Sequence, residues 1–81
     1  MRVISQDGRY DIPYEQAVVS RLDRTVVAYP LNDLGSSDYI QLASYSAEEK
    51  AIEAMEECRW QWFKHNGFIT FQFPADEDIE V

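Results

Sequence analysis

The 81 residues include one cysteine, one histidine and only two lysines. A lone Cys58 excludes an intrachain disulfide and a thiolate metal cluster, so a reducing compartment, the cytoplasm, is the expected setting. A lone His65 leaves general-base chemistry without a second imidazole, and it falls at a helix end, where capping or a partly buried ring is the simpler role. Phosphate loops, dinucleotide fingerprints, nucleophile elbows and metal-ligand spacings are all missing. The chain is therefore expected not to be an enzyme, and to need no cofactor and no metal. No apolar run approaches the roughly 20 residues of a membrane span, and the first residues lack the basic-then-apolar layout of a signal peptide. A soluble protein that stays where it is made is expected.

Length allows one domain, residues 1–81, with an acidic tail at 75–81. A hydrophobic fraction of 46%, with 14% aromatic, is too high for a disordered chain and suits a small core built on large side chains. Fifteen acids oppose seven bases, for a formal charge of -8. Five of the acids fall between Glu48 and Glu57, and Asp76, Glu77, Asp78 and Glu80 follow in the tail. Such a surface repels phosphate backbones, which excludes broad nucleic-acid binding and favours a basic protein surface or a small ligand in a local pocket.

Strand patterns fill the first half. Val3-Ile4 precedes Asp7-Gly8, a tight-turn pair, after which Tyr10, Ile12 and Tyr14 alternate with Asp11 and Pro13. Pro13 donates no backbone hydrogen bond and marks this segment as a sheet edge. Residues 17–22 and 25–29 form a second hairpin about Asp23-Arg24. Residues 30–38 carry Asn32-Asp33, Gly35 and Ser36-Ser37 and should be a loop. Strand character resumes over 39–45, with Ile40 and Leu42 on one face and Tyr39, Ala43 and Tyr45 on the other.

Ser46-Ala47-Glu48-Glu49 has the form of a capping box. Ala51, Met55, Cys58 and Trp62 then make an apolar helical stripe, and Asn66-Gly67 is a left-handed stop. Residues 68–73 read as a last strand ended by Pro74. The expected class is α+β: a mainly antiparallel sheet of five to six strands with one helix packed on one face. The other face must meet water or a second subunit.

Trp60 breaks the helical pattern. It stands roughly 160° from the buried stripe, beside Glu53, Glu56 and Lys64. Either the 30–38 loop folds over it, or it is an interface residue together with Glu53 and Glu56. Arg59 lies between stripe and outer face with Ile52 and Phe63 beside it. It can pair with Glu56 or Glu48, or stand at the lip of an aromatic-lined pocket and grip a phosphate. Arg21 and Arg24 supply further anion-binding capacity in the sheet half, which makes Arg59, Phe63, Arg21 and Arg24 the candidate ligand-binding set.

The segments Ile4-Ser5-Gln6-Asp7-Gly8, Asp11-Ile12-Pro13-Tyr14-Glu15, Ala54-Met55-Glu56 and Phe71-Gln72-Phe73-Pro74 together resemble a family of small proteins carried by phages and prophages. More weakly, the pattern resembles the first type of Thoeris anti-defence protein, a phage sponge that holds cyclic ADP-ribose-like or cyclic-nucleotide immune signals without cleaving them. The resemblance implies a pocket at a subunit interface using arginine and aromatic side chains, with Arg59 at the position of such an arginine. The resulting expectation is a non-enzymatic anti-defence protein in the infected cell, a homo-oligomer that sequesters a cyclic signal. The alternatives are an acidic, nucleic-acid-mimicking inhibitor of a host nuclease or CRISPR effector, and a structural or regulatory phage protein that docks through Trp60.

Overall fold

The computed structural model describes residues 1–30 and 39–79. Its elements are β1 (Arg2–Ile4), β2 (Asp11–Pro13), a 3-10 turn (Tyr14–Gln16), β3 (Ala17–Leu22), β4 (Thr25–Pro30), β5 (Ile40–Ser44), α1 (Glu48–Lys64), β6 (Thr70–Gln72) and a second 3-10 turn (Asp76–Asp78). The α+β class holds, with two three-stranded sheets in place of the single larger one. One has the order β2-β1-β6, the other β3-β4-β5.

Both hairpins form where the turn residues put them. Gly8 takes φ +76°, and its amide closes the first turn onto the Ser5 carbonyl at 2.9 Å. Asp23 takes φ +60° in a two-residue connection that pairs Leu22 with Thr25. Strand β2 is an edge, as its proline requires. What local pattern does not supply is the partner on the far side of β1. There β6 arrives in parallel, with Val3 opposite Phe71.

Gln6 bridges the sheets. Its amide donates to the Leu42 carbonyl at 2.7 Å, its side-chain oxygen accepts from the Ser44 amide at 3.2 Å, and its side-chain nitrogen donates to the Pro74 carbonyl at 3.1 Å. One residue thus ties the β1–β2 connection to β5 and to the segment after β6. The alternation expected along β5 is interrupted by a register shift: Val26 pairs with Ala43 and Val27 with Gln41, leaving Leu42 unopposed. Leu42 and Ala43, although consecutive, are both buried, as a bulge permits.

Sheet β2-β1-β6 contributes Val3 and Phe71 to a single core, continued by Phe73, and sheet β3-β4-β5 contributes Val26, Ala28, Leu42 and Ala43. The helix closes that core with Ala51, Ala54 and Cys58. These small residues let the helix axis approach the sheets closely. Met55 and Trp62 flank this line and do not lie at its centre, so the buried stripe is Ala51-Ala54-Cys58 and Trp62 remains 37% exposed.

The capping box does not form. Ala47 is the N-cap, with no side-chain cap bond, and Ser46 turns instead to the Asp76 carboxylate, which takes both its amide (2.7 Å) and its hydroxyl (3.0 Å). Lys50 donates to the same carboxylate at 3.2 Å. The chain's acidic end is accordingly no free tail over 75–79: Asp76–Asp78 is a 3-10 turn and Ile79 is buried in the core. At the other end of α1 the expected stop is present. Asn66 (φ +52°) and Gly67 (φ +81°) donate to the Phe63 and Trp62 carbonyls, closing a Schellman motif with His65 as C-cap.

Candidate functional site on the outer face of the helix

Much of what makes the sequence distinctive is structural. The Ser5 hydroxyl donates to Asp7 at 2.6 Å and accepts from the Tyr10 amide, and Asp7 also accepts from the Arg9 amide. The Ser5 hydroxyl and the Arg9 amide hold the Asp7 carboxyl below its ordinary range. The Pro74 carbonyl takes the Tyr45 hydroxyl at 2.9 Å as well as Gln6. Glu15 accepts the Trp62 indole N–H at 2.8 Å and the Met1 amine at 2.7 Å. The amine first and the indole second draw its carboxyl down to about 2. Residues within 4–8 and 14–15, together with Pro74, are thus consumed in turns and clasps.

The candidate ligand residues divide into two places. Arg21 donates to the Asp23 carbonyl at 2.8 Å and pairs with Glu48 at 3.0 Å, fastening the β3–β4 turn to the start of α1. Arg24 lies at the same end, 3.9 Å from the Asp23 carboxylate. Arg59 and Phe63 are eleven and fifteen residues beyond Glu48, so Arg59 lies about 16 Å along the helix at 1.5 Å per residue. Within one copy the four do not converge. Arg21 is committed to its ion pair with Glu48, which at that distance along the helix is out of reach of Arg59.

Around Arg59 the surface is open. The residue is exposed and, among the described residues, makes no ion pair with Glu56 or any other carboxylate. One position on, Trp60 is 53% exposed, and its ring stacks on Phe63, itself 69% exposed, with centroids 5.9 Å apart and planes 24° from parallel. Glu49, Glu53 and Glu56 lie on the same face, all toward the helix N-terminus from the stack. Of the 30–38 loop offered as one cover for Trp60, Pro30 belongs to β4 and the remainder lies outside the described residues.

Inward of Arg59 the chemistry is quiet. Burial pushes the Cys58 thiol up to about 12, which keeps it protonated at neutral pH. Burial likewise raises the Tyr14 phenol, while the nearby Arg59 guanidinium pulls the other way. The His65 ring is exposed at the helix end. Among the described residues no group of three or more His, Cys, Asp or Glu is placed to hold a metal ion. No described helix is long and apolar enough to cross a membrane.

Two hollows mark the surface elsewhere. One, of about 200 Å³, runs between the sheets along Ile12, Ala17, Ala28 and Ile40; the other, of about 300 Å³, is rimmed by Glu53, Glu57 and Asp78. Neither includes Arg59 or Phe63. The sequence reading missed Glu15 and Asp76 as organising residues, because nothing near either in the chain names its distant partner. Trp60 and Arg59 lie on the exposed side of α1, where the helical period directs them. Compared with protein families, curated proteins and solved structures, the chain matches none.

Proposed function

We propose that the chain is a non-enzymatic binding protein that sequesters a cyclic nucleotide or cyclic ADP-ribose-type signal, acting in an infected host cell as a phage anti-defence factor. The observation that carries this reading is the exposed Arg59 guanidinium, without a carboxylate partner among the described residues, beside the parallel Trp60–Phe63 rings. A guanidinium offers a phosphate a forked pair of hydrogen bonds, and an adjacent aromatic face accepts a base by stacking. The resemblance to phage-borne sponges supports the same chemistry. A thermal-shift and calorimetric screen of the wild type against purified cyclic nucleotides tests it: stabilisation at micromolar ligand supports sequestration, and none across the set rejects it.

A second reading is favoured by Glu49, Glu53, Glu56 and Glu57, all exposed on α1. Four exposed carboxylates leading up to an aromatic stack suit the basic channel of a nucleic-acid-processing enzyme. Binding of this kind, with several carboxylates engaged at once, would weaken more steeply with salt than capture of one small anion at Arg59.

A further inference from the structure

The outer face of α1 is self-complementary. Its first three turns carry Glu49, Glu53, Glu56 and Glu57 outward, and the remainder carries Arg59 and Lys64 to either side of the Trp60–Phe63 stack. A basic foreign surface would satisfy the acids but set like charge against Arg59 and Lys64. An anionic membrane would meet the reverse problem at the glutamates. A second copy of the same helix running antiparallel meets neither.

We infer that a second copy of this chain docks on this face, α1 against α1, with a two-fold axis passing at Trp60. Glu56 lies four residues before Trp60 and Lys64 four after, each about 6 Å along the axis at 1.5 Å per residue. Antiparallel alignment therefore sets Glu56 of each copy level with Lys64 of the other, twice per dimer, as an isologous contact demands. Parallel alignment would set acid on acid instead. The same two-fold brings Arg59 of one copy onto the flank occupied by Phe63 of the other, where a guanidinium is attracted to a ring face. Trp60, too large and apolar to leave half in water, lies at the centre and is covered by its counterpart.

The pairing extends the sequestering proposal, on which its purpose rests, because it turns a convex helix face into a cleft lined by arginine and aromatic rings from both copies. Its own readout is mass, not ligand. Sedimentation of the full chain at micromolar concentration should give a dimer for the wild type. Glu56→Lys alone and Lys64→Glu alone should each give monomer, since each places like charges opposite one another. An equimolar mixture of the two variants should recover the dimer mass, because every mixed pair has opposite charges at both contacts. Both residues are exposed, so neither change threatens folding; far-UV circular dichroism checks this. A monomeric wild type overturns the inference, as do single variants that dimerise like the wild type or a mixture that stays monomeric. A dimer that ignores cyclic nucleotides rejects sequestration and leaves the helix pairing standing, whereas a monomer that binds them does the opposite.

Discussion

Asp76 reaches back thirty residues to hold Ser46 by both its amide and its hydroxyl, at 2.7 and 3.0 Å. That single carboxylate does from a distance what a local cap would have done for the start of α1, and it anchors the chain end against the helix through Lys50 as well. The side chain that a local pattern marks as the helix cap is therefore one half of a tertiary clasp.

The clasp makes the first prediction. Asp76→Ala should lower the melting temperature more than Ser46→Ala, since it releases Ser46 and Lys50 together, whereas a capping box would make Ser46 the costlier loss. The Asp76 carboxyl is held below its ordinary 3.8, chiefly by the Ser46 amide. A depressed carboxylate stabilises the fold fully above the unfolded value and loses that contribution as pH falls through the folded one. Wild type and Asp76→Asn should therefore differ by a constant gap above about pH 4, and the gap should close as pH falls below it. Parallel acid titrations that keep the gap constant would show the clasp to be marginal.

Gln6 makes the second. Gln6→Ala removes two side-chain bonds between separate parts of the fold and should cost about 1–3 kcal/mol in urea denaturation. Gln6→Glu, nearly the same size, should not rescue it, because a carboxylate cannot donate to the Pro74 carbonyl that Gln6 now serves. Wild-type stability in Gln6→Glu would mean that the bridge is packing and not hydrogen bonding.

Gly8 and Gly67, both left-handed, separate strain from crowding. Both have positive φ, so alanine at either should cost about 1 kcal/mol or more in backbone strain. A Cβ on Gly8 would meet only the Gln72 side-chain nitrogen at 3.8 Å, but on Gly67 it would come within 3.0 Å of the Glu15 carboxylate and 3.1 Å of the Trp62 indole nitrogen. Gly67→Ala should be the more damaging, and Trp62→Phe, which leaves no indole N–H to hold Glu15 there, should narrow the difference. Equal losses at Gly8 and Gly67 in denaturant melts would argue against a tight Glu15–Trp62 clasp.

What could be read from the chain was whatever adjacent residues decide among themselves. Asp7-Gly8 and Asp23 set hairpins, Pro13 an edge strand, Asn66-Gly67 a helix end, and the 3.6-residue period turned Trp60 outward. What could not be read depends on chain ends that meet: β6 beside β1, Asp76 on Ser46, Glu15 on Trp62. Two sheets appeared in place of one for the same reason, since the β1–β6 pairing spans almost the whole sequence. At the candidate site, Arg59 and Phe63 fell together because they share a helix, and Arg21 was lost to Glu48 because an ion pair between turn and helix leaves no local trace.

The core and the outer face should respond in opposite ways. Phe73 is almost fully buried and meets Phe71 edge to face at 5.2 Å, so Phe73→Ala should cost about 3–5 kcal/mol. Phe63→Ala removes a mostly exposed ring and should change stability by well under about 1 kcal/mol, since surface substitutions act weakly. A large loss at Phe63 in the same denaturation series would reveal a structural duty for the stack and weaken its assignment to binding.

Arg59 is the residue on which the functional proposal turns. It has no carboxylate partner among the described residues, so Arg59→Ala should leave the unliganded melting temperature nearly unchanged while abolishing stabilisation by a cyclic nucleotide. Arg59→Lys should recover little, because an ammonium cannot reproduce the forked contact with phosphate. Arg24→Ala should have no effect in the same assay, since Arg24 lies at the opposite end of the helix. Ligand recovered from the complex should be chemically intact, as among the described residues no nucleophile with an oriented base adjoins Arg59; a hydrolysed product in chromatography would replace the sponge with an enzyme. Binding to a basic nuclease that survives Arg59→Ala but disappears when Glu53, Glu56 and Glu57 are neutralised would instead move the function to the acidic inhibitor, with the carboxylates of the same helix face as its instrument.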